Sequence, residues 1–193
     1  MANALVLASA SPRRLAPLTQ IGINAIFQPA DIDESPLSGE SGRDLVKRLA
    51  RKKCDSVESA MPVLAADTVV VRGTRVYGKP TSQAHGIDML LSLSSAEHKV
   101  ITSVCVRFEE HIQVSTVESS VTFAHIDEQT ANRYWNTGEP LGKAGSYAIQ
   151  GLGAVFVQHL KGSYSNVMGL PLFETAQLLS KAGLDCLSEK SCE

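Results

Sequence analysis

The stretch Val63-Leu-Ala-Ala-Asp-Thr-Val-Val-Val71 decides the fold of this chain. An apolar run of this length is typical of a strand buried on both faces, and such strands lie in sheets that helices cover on both sides. Asp67 and Thr68 interrupt the run. A carboxylate in a core strand is costly unless it is paired or binds a metal. We therefore interpret Asp67 as a functional residue, with a structural hydrogen bond as the alternative.

A second apolar run, residues 4–8, precedes the polar segment Ser9-Ala-Ser-Pro-Arg-Arg14. The pattern predicts a strand, a tight loop and a helix, with Ser11 as the N-cap and Pro12 as the first helical residue. Free backbone N–H groups, hydroxyls and two guanidinium groups make such a loop suitable for a phosphate. The alternative is a capped helix whose arginines are solvated.

Another helix is predicted from its N-cap Ser41 to about Ala60. Its apolar residues recur every three or four positions, which places Lys53 on or beside the buried stripe. A lysine in that place usually extends its amine to water. The elements predicted after residue 71 are a hairpin arm at 73–80, a helix at 82–94, strands at 100–108 and 112–123, a helix at 127–137, a strand at 154–160 and a helix at 171–182. Together these elements predict an α/β fold around a mixed sheet.

Composition excludes several classes of function. The 193 residues correspond to about one domain, and the net charge is −2 with 5% aromatic residues. A nucleic-acid coat or a polybasic membrane anchor needs a strong positive excess, so neither is expected. The four cysteines have no CxxC spacing, no apolar run is long enough to span a bilayer, and no Lys or Arg precedes the apolar N-terminal segment as a signal peptide requires. We expect a cytoplasmic protein.

The other polar candidates have weaker patterns. The pair Asp33-Glu34 lies in a loop, where acidic residues are usually solvated. Lys79 and Gln150 lie in glycine-rich turns, where a polar side chain is usually exposed. The five histidines have no metal-ligand spacing.

Eight motifs along the chain, taken together and in order, resemble one known family. They are Leu7-Ala-Ser-Ala-Ser-Pro-Arg-Arg14, Asp33-Glu34, Arg48-Leu-Ala-Arg-Lys-Lys53, Ala66-Asp-Thr-Val-Val70, Gly78-Lys-Pro80, His98-Lys-Val-Ile-Thr102, Lys143-Ala-Gly-Ser-Tyr-Ala-Ile-Gln-Gly151 and Gly169-Leu-Pro171. Over roughly residues 4–182 the chain resembles the Maf family of nucleoside triphosphate pyrophosphatases. The resemblance implies an inosine-triphosphatase-like fold, in which helices flank a mixed twisted sheet with a central cleft. It implies one two-lobed domain over residues 1–183, followed by a frayed tail at 184–193.

The resemblance also implies a substrate. Asp67-Thr68 and Tyr147-Ala-Ile-Gln-Gly151 are similar to the branch that hydrolyses dTTP and UTP, a house-cleaning activity that can extend to modified pyrimidine nucleotides. The branch that acts on 7-methyl-GTP usually has Asp-Gln and Ser-Glu-Gly at these places. Hydrolysis of 7-methyl-GTP or another modified nucleotide is therefore the alternative activity. A non-catalytic, nucleotide-binding regulator of septum formation, linked to cell-division arrest, is the alternative of another class. The chain departs from the family pattern at Ala66, Gly142 and Pro17.

Roles for individual residues follow from the resemblance. It implies that Asp67 is the general base or orients the water, and that Glu34 and Lys53 are also catalytic. Glu34 and Asp67 are the implied ligands of a divalent cation, Mg²⁺ or Mn²⁺. The implied substrate-binding residues are Ser9, Ser11, Arg13, Arg14, Thr68, Lys79 and Gln150, of which Arg13, Thr68 and Gln150 set the specificity. The implied partners are a small nucleotide and a second copy of the chain in a homodimer, without nucleic acid or membrane.

Overall fold

The structure is a computed structural model that describes residues 4–9 and 11–186, apart from the side chain of Pro12. Strands and helices alternate along the first half of the chain and strands pair directly in the middle. The strands are β1 Ala4–Leu7, β2 Asn24–Phe27, β3 Val63–Arg72, β4 Arg75–Tyr77, β5 Glu97–Phe108, β6 His111–Phe123 and β7 Val157–Lys161. The α-helices are α1 Leu15–Gln20, α2 Gly42–Asp55, α3 Gln83–Leu93, α4 Glu128–Trp135, α5 Tyr164–Met168 and α6 Leu172–Lys181.

The strands form one mixed sheet in the order β2-β1-β3-β5-β6-β7, with β4 paired to β3. β1 is parallel to both neighbours, and Leu7 lies opposite Phe27 on one side and Leu64 on the other. The pairs β3–β4 and β6–β7 are antiparallel. The predicted α/β fold with a mixed sheet is confirmed. Within the described residues, no helix has the length and apolar character needed to cross a membrane.

Contacts divide the chain into two compact units. The first unit comprises the described residues within 1–67, 102–116 and 169–193, and the second comprises 68–101 and 117–168. Strands β3, β5 and β6 contribute residues to both units. The single domain over 1–183 remains a prediction. Leu184, at the start of the predicted tail, is buried and its amide donates to the carbonyl of Leu179 (2.9 Å), while residues 187–193 lie outside the described part.

Alternation along the strands gives the first unit an apolar core on each face of its sheet. Leu64 and Ala66 of β3 pack in the cluster that includes Leu18 of α1 and Leu179 of α6. The neighbouring residues Val63 and Ala65 pack in the cluster that includes Ala50 and Cys54 of α2. Because successive strand residues point to opposite faces, α2 covers the face of the odd-numbered residues of β3.

An aromatic cluster forms the core of the second unit. Phe123 contacts His98 and Tyr147 edge to face, with both ring centroids 4.7 Å away. Nε2 of His98 also hydrogen-bonds the Tyr147 hydroxyl at 2.9 Å. Tyr134 contacts Phe156 edge to face at 5.0 Å. These rings back the segment from Tyr147 toward Gln150, so the core supports part of the predicted specificity motif.

His98 is expected to make the fold acid-sensitive. Burial, with a smaller contribution from Arg72, lowers the pKa of His98 to about 4. The unfolded chain therefore binds this proton more readily than the folded chain, and stability is lost as pH falls from about 6.5 toward 4. Between pH 7 and pH 5 the free energy of unfolding should fall by about 2 kcal/mol more in the wild type than in His98→Gln. Urea unfolding at the two pH values measures this difference.

The matched control for that experiment is His125→Gln, because His125 is exposed. It should keep the wild-type pH dependence. An equal pH dependence in His98→Gln and the wild type would contradict the assignment.

Several predicted boundaries are wrong, and a side chain elsewhere in the chain explains the first of them. The second helix ends at Asp55, not near Ala60. Arg107 on β5 donates through Nε to the carbonyl of Cys54 (3.3 Å) and through Nη2 to that of Val57. These bonds satisfy carbonyls that a longer helix would have used.

Two further boundaries differ from the sequence predictions. The first helix opens with a 3₁₀ turn at Pro12–Arg14, and the α-helix begins at Leu15 without a side-chain cap. Residues 152–156 form a 3₁₀ turn, so the last strand starts at Val157 and not at Ala154. Strand β2 and helix α5 are short elements that the sequence pattern did not indicate.

Candidate functional site

Asp67 lies on the part of β3 that extends past the end of β1. The last residue of β1, Leu7, is opposite Leu64, and the amide of Ala8 donates to the carbonyl of Leu64 (2.8 Å). Asp67 is three residues further along β3, on the carboxyl-terminal side where ligands bind in α/β sheets. Its odd position also places it on the face that α2 covers. Asp67 is buried, with 11% of its side chain exposed.

Helix α2 supplies a buried cation to this face. Ser41 caps the helix by accepting a hydrogen bond from the amide of Asp44 (3.2 Å), as predicted. Lys53 lies in the last turn and is 5% exposed. Its Nζ lies 2.6 Å from Oδ1 of Asp67 and 2.7 Å from Oε1 of Glu34. Lys53 does not extend to water but joins two carboxylates.

Arg48 and Glu40 hold the loop that carries Glu34. Arg48 lies on α2 and donates to both carboxylate oxygens of Glu40, each at 2.6 Å, and to the carbonyl of Ser35 at 3.0 Å. Glu40 also accepts from the amide of Leu37 (3.0 Å). The hydrogen bonds from Arg48 lower the pKa of Glu40 to about 2. These contacts fix the residue next to Glu34 onto the helix that presents Lys53.

Asp33 has a different environment from its neighbour Glu34. Both residues are exposed, but Oδ1 of Asp33 accepts from the amide of Ser35 (2.9 Å) in a local turn, whereas Oε1 of Glu34 lies 2.7 Å from Nζ of Lys53. Hydrogen bonds from the side chain and from the amide of Ser35 lower the pKa of Asp33. Of the predicted acidic pair, Glu34 is the residue that contacts the buried lysine.

The loop after β1 is organised by Ser9 and Arg14. Ser9 is 1% exposed, and its Oγ accepts from the amide of Ser11 (3.2 Å) and from Nη1 of Arg14 (2.6 Å). Nε of Arg14 donates to the carbonyl of Gly169 (2.8 Å). Burial lowers the pKa of Arg14, against the opposite influence of Asp67 and Glu34. Arg14 therefore stabilises the loop from its buried side, by joining Ser9 to the backbone at Gly169.

Arg13 is the guanidinium of this loop with unused hydrogen-bonding capacity. Its Nε is buried and has no partner among the described residues. Burial and the neighbouring charge of Arg14 lower the pKa of Arg13 to about 10, so it remains a cation at neutral pH. A buried donor without a partner is costly, and an anionic ligand would satisfy it.

Thr68, Lys79 and Gln150 belong to the second unit. Thr68 is half-buried on β3, whereas Lys79 and Gln150 are exposed. The carbonyl of Gly78 accepts from the amide of Gly145 (3.1 Å), and this hydrogen bond joins the motif at 78–80 to the motif at 143–151. Gly145 has φ +69°, and a Cβ there would lie 2.8 Å from Val70 Cγ2. Only glycine fits this close approach.

Gln150 lies in a tight turn. The amide of Gly151 donates to the carbonyl of Ala148 (3.2 Å), and the three residues before Gln150 are buried. The turn thus leaves the Gln150 side chain accessible on a fixed backbone.

The structure divides the predicted site residues into two sets. The set in the first unit is Ser9, Ser11, Arg13, Arg14, Glu34, Lys53 and Asp67. The set in the second unit is Thr68, Lys79 and Gln150. Within the described residues, no three side chains of His, Cys, Asp and Glu form a group that could hold a metal ion. Sequence reasoning did not assign a role to Arg48, Glu40, Tyr134 or Glu139, because polar side chains on helices and in turns are usually solvated and their partners lie elsewhere in the chain.

Comparison with known proteins agrees with the motif pattern. The sequence model of the family described as Maf-like protein matches residues 4–182. The chain belongs to the Maf family.

Three Maf relatives are each named dTTP/UTP pyrophosphatase. The protein of Anaeromyxobacter dehalogenans strain 2CP-1 is 49% identical over 187 residues, which cover 95% of this chain and 96% of the relative. The protein of Pseudoalteromonas atlantica is 47% identical, and the match covers 93% of this chain and 97% of the relative. The protein of Hahella chejuensis is 44% identical, and the match covers 96% of this chain and 95% of the relative. Among solved structures, the Staphylococcus aureus Ham1 protein is 15% identical with a TM-score of 0.45, over 63% of this chain and 72% of that chain.

Proposed function

We propose that this Maf protein is a nucleoside triphosphate diphosphatase that hydrolyses dTTP and UTP to dTMP or UMP and diphosphate. The observation that carries the proposal is the buried Lys53, whose Nζ joins the carboxylates of Asp67 and Glu34. Lys53 and Asp67 are buried, and Glu34 contacts the same amine from the exposed side, with 40% of its side chain accessible. Such a grouping is uncommon in a purely structural core, because burying a charged pair is expensive. Relatives that share 44–49% of their residues with this chain have the name dTTP/UTP pyrophosphatase.

In the proposed reaction, a water molecule attacks the α-phosphorus and diphosphate leaves. Asp67 orients this water and accepts its proton. The ion pair with Lys53 fixes Oδ1 of Asp67 at 2.6 Å, so the carboxylate is oriented before substrate binds. Arg48 and Glu40 likewise hold the loop of Glu34 in place before substrate binds.

Cations and loop amides bind the phosphates in this proposal. Arg13 contributes a buried guanidinium nitrogen that still needs an acceptor. Ser9, Ser11 and the start of the following helix hold one phosphate, with Lys79 as a further cation. Arg14 positions the phosphate-binding loop, because its guanidinium binds Ser9 and the carbonyl of Gly169. This is a narrower role than direct substrate binding.

The donor chemistry of Asp67 and Glu34 fits a divalent cation. Both carboxylates lie within 2.7 Å of the same Nζ, so their oxygens already converge on one positive charge. Mg²⁺ is commonly held by one or two carboxylates together with phosphate oxygens and water, so two protein ligands suffice. When bound, Mg²⁺ or Mn²⁺ would offset phosphate charge and lower the pKa of a coordinated water.

Base selection is assigned to Gln150, with Thr68 and Arg13 in support. A glutamine amide offers an acceptor to N3–H of uracil or thymine and a donor to a neighbouring carbonyl. Cytosine presents the opposite pattern and would leave polar groups unpaired, which discriminates strongly. The exposed position of Gln150 on a fixed turn supports this role.

A homodimer in the cytoplasm that works without nucleic acid or membrane completes the proposal. The net charge of −2 and the low aromatic content support the absence of nucleic-acid and membrane partners, because nucleic acids and anionic lipids attract strongly basic proteins. Sedimentation equilibrium of the purified chain would test the dimer, and a monomeric mass would contradict it.

The function is tested by turnover of a nucleotide panel with Mg²⁺. We expect diphosphate release from dTTP and UTP at rates at least about tenfold above those from CTP, ATP and 7-methyl-GTP. Preference for 7-methyl-GTP would support the alternative activity instead. Equal turnover of all triphosphates would contradict the selectivity, and absence of any turnover would contradict the enzyme.

A further inference from the structure

Glu139 binds backbone amides on the far side of the Gln150 turn. Its Oε2 accepts from the amide of Leu152 (2.8 Å), and its Oε1 accepts from the amide of Gly153 (2.9 Å). Burial raises the pKa of Glu139, but the Tyr134 hydroxyl and these two amides outweigh burial and lower the pKa below its ordinary value. The carboxylate is therefore ionised at neutral pH and accepts charge-assisted hydrogen bonds.

Tyr134 connects the same carboxylate to the near side of the turn. Its hydroxyl donates to Oε1 of Glu139 (2.6 Å) and accepts from the amide of Ala148 (3.1 Å). The ring is 5% exposed and packs against Phe156. The pair therefore binds amides on both sides of Gln150, two residues before it and two and three residues after it.

The glycines of this segment show how closely the pair approaches the backbone. A Cβ on Gly153 would lie 2.6 Å from the Tyr134 hydroxyl and 2.8 Å from the carbonyl of Ala148. A Cβ on Gly151 would overlap the Glu139 carboxylate. At Gly151 and Gly153 the backbone packs against the pair without room for a Cβ, so the pair limits how far the turn can move toward it.

We infer that Glu139 and Tyr134 are positioning residues for base selection, which hold the Gln150 turn in the conformation that discriminates uracil and thymine from cytosine. Neither residue needs to touch the nucleotide. The inference rests on the proposed function, because it explains how Gln150, the residue proposed to select the base, is held in position. It predicts that weakening the pair affects recognition of the correct base and spares the chemical step.

The test uses Glu139→Gln and Tyr134→Phe in the full chain. Glu139→Gln replaces one acceptor by a donor that faces an amide, and Tyr134→Phe removes the hydroxyl and keeps the ring. In both variants, KM for UTP and dTTP should rise about tenfold, kcat should change less than twofold, and the UTP-over-CTP ratio of kcat/KM should fall about tenfold. Hydrogen exchange of the amides in residues 147–153 should be faster than in the wild type.

Matched controls are Glu128→Gln and Tyr164→Phe, because both side chains are exposed on helices of the same unit. They should leave selectivity and exchange unchanged. Unchanged exchange in the two test variants would overturn the inference, and so would faster exchange with an unchanged UTP-over-CTP ratio.

Binding of UMP and CMP, measured by calorimetry, separates this inference from the proposed hydrolysis. If the wild type binds UMP over CMP and the variants lose that preference, the pair positions the base reader even in a chain that hydrolyses nothing. If the wild type hydrolyses UTP selectively and the variants keep the preference for UMP, the inference fails while the function stands. If the wild type has no preference for UMP, the inference fails, and the turnover panel alone decides the proposed function.

Discussion

Asp67→Asn is expected to lower kcat for dTTP and UTP by about a thousandfold while the fold remains intact. Asparagine keeps the size of the side chain but cannot accept the proton, and general bases commonly contribute about 10²- to 10⁴-fold. Lys53 retains its contact with Glu34, 2.7 Å away, so the buried amine is not left without a carboxylate. The measurement is kcat at saturating nucleotide, together with thermal unfolding of the same preparation.

Asp55→Asn is the control for this loss. Asp55 ends helix α2, its side chain is 49% exposed, and its ion pair with Arg51 is long at 3.6 Å. Its kcat should equal that of the wild type within about twofold. Turnover by Asp67→Asn within tenfold of the wild type would refute the assigned role.

Lys53→Met is expected to lower the free energy of unfolding by about 3 kcal/mol, because it removes the cation 2.6 Å from the buried carboxylate of Asp67. Both Lys53 and Asp67 are more than nine-tenths buried, so water cannot replace the lost pairing fully. Exposed ion pairs contribute far less, commonly below about 1 kcal/mol. Urea unfolding at pH 7 measures the difference.

Two further variants make this result specific. Lys52→Met changes the preceding, exposed lysine of the same helix and should alter stability by less than about 0.5 kcal/mol. The double variant Lys53→Met with Asp67→Asn should regain most of the lost stability, because the buried charge that Lys53 had paired is gone. Equal stability of Lys53→Met and the double variant would show that charge is not the cause.

The sequence predicted the elements whose signals are local. Strand β3 was predicted at 63–71 and is observed as Val63–Arg72, because a continuous apolar run identifies a strand buried on both faces. The helix start at Ser41 was predicted from the residue type, and this serine accepts the expected amide hydrogen bond. A helix was predicted at 82–94 and is observed as Gln83–Leu93, with Ser82 as its N-cap. These features depend on neighbours within four residues.

The predictions that failed depend on distant residues. Helix α2 stops at Asp55 because Arg107, more than 50 residues later in the chain, binds the carbonyls of Cys54 and Val57. Residues 152–156 form a turn because Glu139 binds two of their amides. No local pattern around residues 55 or 154 contains either partner.

The sequence by itself determined the α/β class, the placement of an acid in a core strand, and the presence of Lys53 on the buried stripe of its helix. Only the tertiary structure decided that this lysine joins Asp67 to Glu34, that Arg14 clamps Ser9, and that Glu139 and Tyr134 close the turn of Gln150. The physical reason is that periodicity fixes which face a residue occupies, whereas the partner of a buried charge is set by how separate segments pack. The chain therefore specifies its functional groups locally and their geometry globally.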